Sequence, residues 1–196
     1  MTRVWPALLE VLHPLDRPPP ATWPMCYETK FALARLLRPR RLLEIGVRTG
    51  YSALAFLLAV PEASFLGIDA NRETHGGFRG AIGHARRVLE PFHAEVREQT
   101  SADYAETVSP VAHAARFDLI HIDGDHSLSG CSFDLRLARR IGGRHLLVDD
   151  YDAIPDVRDA CDQFSHEFAD EYTRIAVDDG HHGAVLFTKS DACHDE

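Results

Sequence analysis

Two short acidic clusters carry the first chemical signal: Ile120-His-Ile-Asp123-Gly-Asp125-His126 and Leu147-Val-Asp149-Asp150-Tyr-Asp152. Each ends an apolar run of strand type. The two runs are predicted neighbours in one sheet, so Asp123, Asp149 and Asp150 converge at one rim. Like charges about 4 Å apart cost roughly 4 kcal/mol per pair at an effective dielectric near 20. Either one carboxyl keeps its proton or a cation binds. Oxygen donors without cysteine select Mg²⁺, Mn²⁺ or Ca²⁺, and few protein ligands with several replaceable waters suit Mg²⁺. His126, with an ordinary pKa of roughly 6.5, suits proton removal at neutral pH; Asp125 is the rival base. Taken alone, an Asp-Asp pair reads as a solvated turn, with Asp152 capping the next helix.

A second signal is the turn Glu44-Ile-Gly46-Val-Arg-Thr-Gly50-Tyr-Ser52. Glycines allow a tight turn and a close approach of backbone to ligand, and the following helix points free N–H groups at that place. Asp69 ends the next strand, 19 residues after Gly50, where a carboxylate can accept from both hydroxyls of a ribose. The pattern describes a nucleoside-containing cofactor. The dinucleotide fingerprint Gly-x-Gly-x-x-Gly is not met, because Arg48 stands at the middle glycine, so NAD is disfavoured. Glu44 is unhelpful beside a pyrophosphate but compatible with an ammonium or sulfonium group.

These residues must be positioned by an alternation of strands and helices. Residues 1–24 read as an irregular, proline-rich segment with a short helix between Pro6 and His13. A helix is predicted over 25–37, with Leu33, Leu36 and Leu37 on one face. Strands then fall at 41–46, 64–69, 94–100, 117–123 and 144–150, with helices at 51–59, 74–89, 127–141 and 154–168 between and after them. The pair Gly142-Gly143 stops one helix. Strands 172–177 and 184–188, joined by a short turn, form an antiparallel hairpin. Residues 100–103 read as a loop and 190–196 as a flexible tail, leaving one domain over 25–189. The alternation implies an α/β fold: a doubly wound sheet, mostly parallel, with an antiparallel C-terminal hairpin. Ligands bind such sheets beyond the strand carboxyl ends, where both clusters lie. His121 reads as a satisfied core side chain, His181 and His182 as solvated turn residues, and Arg79, Arg86 and Arg87 as a solvated helix face.

The composition is that of an ordinary globular chain: 196 residues, 45% apolar, 26% charged. A net charge of −9 gives no broad reason to bind nucleic acid or an acidic membrane surface. No apolar run approaches the roughly 20 residues of a membrane span. No signal peptide is read at the start. Four dispersed cysteines suggest reduced thiols rather than a zinc or disulfide framework. The expected location is cytoplasmic.

The motif Glu44–Ser52, with Asp69-Ala-Asn71, resembles that of class I S-adenosylmethionine-dependent methyltransferases, in particular the catechol and caffeoyl-CoA O-methyltransferase group. The resemblance implies a Rossmann-like sheet. It implies that Gly46 and Gly50 approach the cofactor, that Ser52 binds its methionine carboxylate, that Asp69 takes the ribose hydroxyls, and that Ser101 and Ala102 lie near adenine. Glu44 and Asp123 complete that set. Asp123, Asp149 and Asp150 match the metal ligands of the metal-dependent members. The catechol group has Asp-Asn at the last two positions; Asp-Asp is similar to macrolide and aminocoumarin sugar O-methyltransferases, as is a histidine at position 126. The implied activity is Mg²⁺-dependent O-methylation of a small hydroxylated acceptor, a natural-product sugar or a phenol in antibiotic biosynthesis. A metal-independent N- or carboxyl-methyltransferase and an inactive cofactor-binding protein are the alternatives. Trp23, Tyr27 and Tyr151 are expected as walls of the acceptor site. A homo-oligomer completing an open site is compatible with the short N-terminal portion.

Overall fold

The computed structural model describes residues 23–73, 80–108 and 117–190. The elements in chain order are α1 (Trp23–Leu37), β1 (Arg41–Ile45), α2 (Tyr51–Ala59), β2 (Ser64–Asp69), α3 (Ala81–Leu89), β3 (Ala94–Glu98), α4 (Ser101–Thr107), β4 (Leu119–Ile122), α5 (Leu128–Arg140), β5 (His145–Val148), α6 (Pro155–Glu167), β6 (Tyr172–Val177) and β7 (Ala184–Lys189). The expected helix at 6–13, the first turns of the helix predicted at 74–89, Arg79 and the tail beyond 190 lie outside the described residues.

The seven strands form one sheet of order β3-β2-β1-β4-β5-β7-β6. β1 to β5 pair in parallel, while β7 runs antiparallel to both β5 and β6. The sheet and its hairpin thus match expectation. The chain leaves β1 toward β2 on one side and returns to place β4 on the other. The switch point, where such sheets bind ligands, therefore falls between β1 and β4.

Side chains alternate across each strand, and this divides the core. Leu43, Ile45, Ile120, Ile122, Leu146 and Val148 face α4, α5 and α6. Leu42, Leu119 and Leu147 face α1, α2 and α3. Glu44 and His121 are direct register partners on β1 and β4. They lie on the α1–α2 side, where the Phe56 ring packs edge-on against His121 at 5.3 Å.

Three expectations need correction. Residues 101–107 form α4 rather than a loop, because Thr100 and Asp103 close a reciprocal capping box. On α1, Leu36 is 77% exposed; the buried stripe is Cys26, Lys30 and Ala34, spaced by four, so a lysine points into the fold. Arg86 is not merely solvated, since its guanidinium donates twice to the Val96 carbonyl and ties α3 to β3. On the other helices the buried residues include Ile82, Ala85 and Leu89 on α3, Cys131, Leu135 and Ala138 on α5, and Val157, Cys161 and Phe164 on α6. Gly142 takes a left-handed φ of 81° after α5, as a helix stop requires.

Candidate active site

A cavity of about 730 Å³ opens beyond the carboxyl ends of β1, β2, β4 and β5. That volume lies within the usual range for small-molecule sites. Its wall includes Gly46, Ser52, Asp69, Ser101 and Ala102 on one side and Asp123, Asp125, His126, Asp149 and Asp150 on the other. Two of the expected cofactor residues stand elsewhere. Glu44 is 1% exposed and borders a smaller adjoining recess with Arg48, Ser52 and Asp123. Gly50 starts α2 with a φ of 82°. A Cβ there would meet Ala85 at 3.2 Å, so Gly50 lets α2 and α3 approach.

The glycine turn is fixed by packing. A Cβ on Gly46 would lie 2.0 Å from the Asp123 carbonyl oxygen, so glycine is needed for the ends of β1 and β4 to touch. Asp69 binds both flanking loops: Oδ2 accepts from the Arg48 N–H at 2.7 Å and Oδ1 from the Asn71 N–H at 2.6 Å. Arg48 and Asn71 both have left-handed φ, 49° and 51°, a conformation that costs energy for a residue with a Cβ. The aspartate holds both in place and keeps lone pairs free toward the cavity.

The acids do converge, and the protein meets their repulsion with its own cations. Asp149 Oδ2 lies 2.7 Å from Lys30 Nζ and 3.3 Å from His121 Nε2. His121 Nδ1 in turn contacts Glu44 Oε1 at 2.8 Å. Burial opposes charge on every member, yet the charges sustain one another. Burial would lower the Lys30 ammonium and the His121 imidazolium, but Asp149 together with the other nearby anions, Glu44 in the case of His121, outweighs it: the lysine is pushed above its usual range and His121 up to about 10. Burial would raise Asp149, but Lys30 and His121 hold it well below the carboxylate range. Glu44 is raised by burial, against the pull of His121. His121 is thus a core side chain, as expected, hydrogen-bonded through Nδ1 but with Nε2 held only by its ion-pair contact to Asp149, and so tied into the site.

Asp123 and Asp150 form the second half. His126 Nε2 lies 3.2 Å from Asp123 Oδ1 and 3.5 Å from Asp150 Oδ2; the Asp123 contact raises the imidazole's pKa. Burial raises Asp150, with the Asp123 charge adding to it. Asp125 is occupied differently. Its Oδ1 accepts from the Ser127 N–H at 2.9 Å, and its carboxyl packs so tightly on α5 that a Cβ at Gly130 would lie 2.3 Å from it.

Among the described residues two donor sets could hold a metal ion: His121, Asp123 and Asp149, and Asp123, His126 and Asp150, each with its ligand atoms within 4.8 Å of one another. Asp149 Oδ1 is buried without a hydrogen-bond partner. Asp149 and Asp150 thus fall in different sets, which share Asp123; carboxylate oxygens of this kind, one of them orphaned, are the donor chemistry of a hard divalent cation, so the residues fit one.

Four participants escaped the sequence reading. Lys30 was legible as the polar member of a Cys26–Lys30–Ala34 stripe at helical spacing. His182 is exposed, as read, yet its Nδ1 lies 2.6 Å from Asp150 Oδ1, and both His181 and His182 line the cavity. Asp134, 1% exposed, lies under Gly124; burial raises it to about 7. Phe133 lines the cavity and is 42% exposed. Tyr151 is not a wall. It turns away, donates to Asp162 at 3.0 Å, and carries Arg174 and Arg158 on its ring. Tyr27 does line the cavity, and the Trp23 side chain lies outside the described residues.

An open α/β domain with a ligand cavity at its switch point is the class that fold and site define. The chain belongs to the methyltransferase domain family, whose model matches residues 43–151. It is similar to caffeoyl-CoA O-methyltransferase 2 of Zea mays, 36% identical over 87 residues, or 37% of this chain and 33% of that protein. The chain thus spans about a third of the curated relative's length. Its fold is similar to that of the O-methyltransferase from Bacillus cereus, solved in complex with S-adenosylhomocysteine, at a TM-score of 0.66 and 17% identity, covering 94% of this chain and 91% of that one. It is also similar to the O-methyltransferase TomG from Streptomyces achromogenes, involved in tomaymycin synthesis and solved with S-adenosylmethionine, at a TM-score of 0.65 and 20% identity, covering 94% and 89%. No helix among the described residues is long and apolar enough to cross a membrane.

Proposed function

We propose that the protein is an S-adenosylmethionine-dependent O-methyltransferase acting on a hydroxyl of a small molecule, a natural-product sugar or a phenol, with Mg²⁺ at Asp123, Asp149 and Asp150. The observation that carries this reading is that one cavity joins Gly46, Ser52, Asp69, Ser101 and Ala102 to the three acids and His126. The names of the relatives, O-methyltransferases of caffeoyl-CoA and of tomaymycin synthesis, support the reaction class.

Asp69 and Ser52 would hold the ribose and methionine ends of the donor, with Ser101 and Ala102 beside adenine. The donor supplies an activated methyl group, and a bound divalent cation supplies a lowered pKa for a coordinated hydroxyl. The protein's part is to hold the acceptor oxygen in line and to accept its proton. His126 Nε2, facing both Asp123 and Asp150, is the base. Asp125 is disfavoured because its carboxylate is taken up by the Ser127 N–H ahead of α5. Two neighbouring oxygens on the acceptor, as in a diol or catechol, suit such a site.

The Lys30–Asp149 pair favours a second reading: metal-independent transfer to nitrogen or carboxylate, with the ammonium standing in for a cation's charge. Methyl transfer from labelled donor to sugar diols, catechols, amines and carboxylates, with Mg²⁺ or with EDTA, separates the two. Loss of hydroxyl methylation in EDTA and recovery with Mg²⁺ is expected; undiminished turnover in EDTA would remove the metal.

A further inference from the structure

The turn between β6 and β7 is built more firmly than a solvated connection needs. Asp179 is 4% exposed, and its Oδ1 accepts from the N–H groups of both His181 and Gly183 at 2.9 Å. Asp178 Oδ1 accepts from the Gly180 N–H at 2.9 Å. Gly180 and Gly183 take left-handed φ of 67° and 69°. The turn is also fastened to the loop after β5: Tyr151 N–H donates to the Gly183 carbonyl at 3.1 Å and Asp152 N–H to the His182 carbonyl at 2.9 Å. At Gly183 a Cβ would stand 2.2 Å from the Asp152 carboxylate, so the two segments lie in close contact.

This framework aims one side chain. His182 Nδ1 reaches Asp150 Oδ1 at 2.6 Å, while His181 stacks on the His182 ring, centroids 3.6 Å apart and planes 17° apart. Asp150 has a left-handed φ of 61°, unusual for a residue with a Cβ; the clamp on residues 151 and 152 helps maintain it. The other carboxylate oxygen, Oδ2, faces His126 at 3.5 Å. One oxygen of Asp150 is therefore tied back to the hairpin and the other presented to the cavity.

We infer that His182 is a positioning residue for the divalent-cation site: its imidazole N–H orients the Asp150 carboxylate, making the β6–β7 turn part of the metal centre. This rests on the metal-dependent reading above. Groups that orient a ligating carboxylate change metal affinity by about 10–100-fold when removed, without touching the donor-binding half.

The test is Mn²⁺ binding to the whole protein, read from the free-ion EPR signal, with melting temperature and S-adenosylhomocysteine affinity measured alongside. His182→Ala is expected to weaken Mn²⁺ about 10–100-fold and to leave S-adenosylhomocysteine affinity within a few-fold. His182→Asn keeps a donor near the Nδ1 position and should restore most of the affinity. His182→Gln moves the donor outward by one bond and should bind as poorly as alanine; it replaces the alanine variant should that one lose its melting transition. If the parent binds Mn²⁺ and the alanine and glutamine variants bind it equally well, the inference falls and the metal reading stands. A parent protein that binds no Mn²⁺ removes both.

Discussion

Lys30 Nζ sits 2.7 Å from Asp149 Oδ2 at the floor of the cavity, with the lysine side chain 3% exposed and the aspartate 14%. The pair joins α1 to the end of β5, and through His121 it reaches Glu44 on β1. A buried ion pair is weak evidence of stability in itself, but removing one partner strands the other. Lys30→Met should therefore destabilise the protein by about 3–5 kcal/mol, read as a shift of the urea midpoint. Adding Asp149→Asn should recover part of that loss. A single variant as stable as the parent would show that water reaches Asp149 freely.

For the acids, replacement should separate metal from donor. Asp150→Asn and Asp123→Asn are expected to abolish Mg²⁺-dependent turnover while S-adenosylhomocysteine affinity, measured by calorimetry, stays within a few-fold. Full rate in both variants would exclude these carboxylates as ligands.

His126→Ala should lower kcat about 10²–10⁴-fold, the usual loss for a general base. Asp125→Ala should act chiefly on stability, since the carboxylate holds the Ser127 N–H at the start of α5, at a cost of about 1 kcal/mol for the lost hydrogen bond. A parallel assay of kcat and thermal midpoint for the pair distinguishes the two roles, and a reversed outcome would make Asp125 the base.

Asp69→Ala removes a carboxylate that braces two left-handed residues and faces the cavity. Donor affinity should fall about 10–100-fold, as for one charge-assisted hydrogen bond, with Mn²⁺ affinity unchanged. Equal loss of both ligands would mean that the loops collapse together.

Asp134 predicts a pH effect with a definite sign. Burial raises its carboxyl from 3.8 to about 7, so the folded chain keeps a proton that the unfolded chain releases in that window. Stability is fully retained below the unfolded value and falls as pH rises toward 7. Asp134→Asn should flatten that fall, making the variant more stable relative to the parent at pH 8 than at pH 5 in thermal melts. An identical pH profile in the two proteins would place Asp134 in contact with water.

The strands and their order of chemistry were legible because apolar runs ending in Glu44, Asp69, Asp123 and Asp149 are local signals. The α4 helix was missed: Thr100 and Asp103 stand at capping-box spacing, but its single buried apolar residue, Tyr104, left no stripe to read. The acid cluster could be placed from strand adjacency alone. Its neutralisation could not, because Lys30 lies 119 residues from Asp149 in the chain and reaches it only through the rotation of α1. His182 was hidden for a similar reason: a histidine in a hairpin turn is usually solvated, and only the tertiary clamp between residues 151–152 and 182–183 swings it over Asp150.

The strand order has a consequence for synthesis on the ribosome. β7 lies between β5 and β6, so a nascent chain made only as far as Val177 has β5 with one unpaired edge and β6 with no partner. Exposed strand edges invite pairing with other chains, and growth at about 5–20 residues per second leaves that state in being until the following dozen residues have emerged. A stall or cut between Asp178 and Gly183 would therefore strand an adhesive intermediate, and holdase chaperones should capture fragments ending there in preference to those that include Lys189.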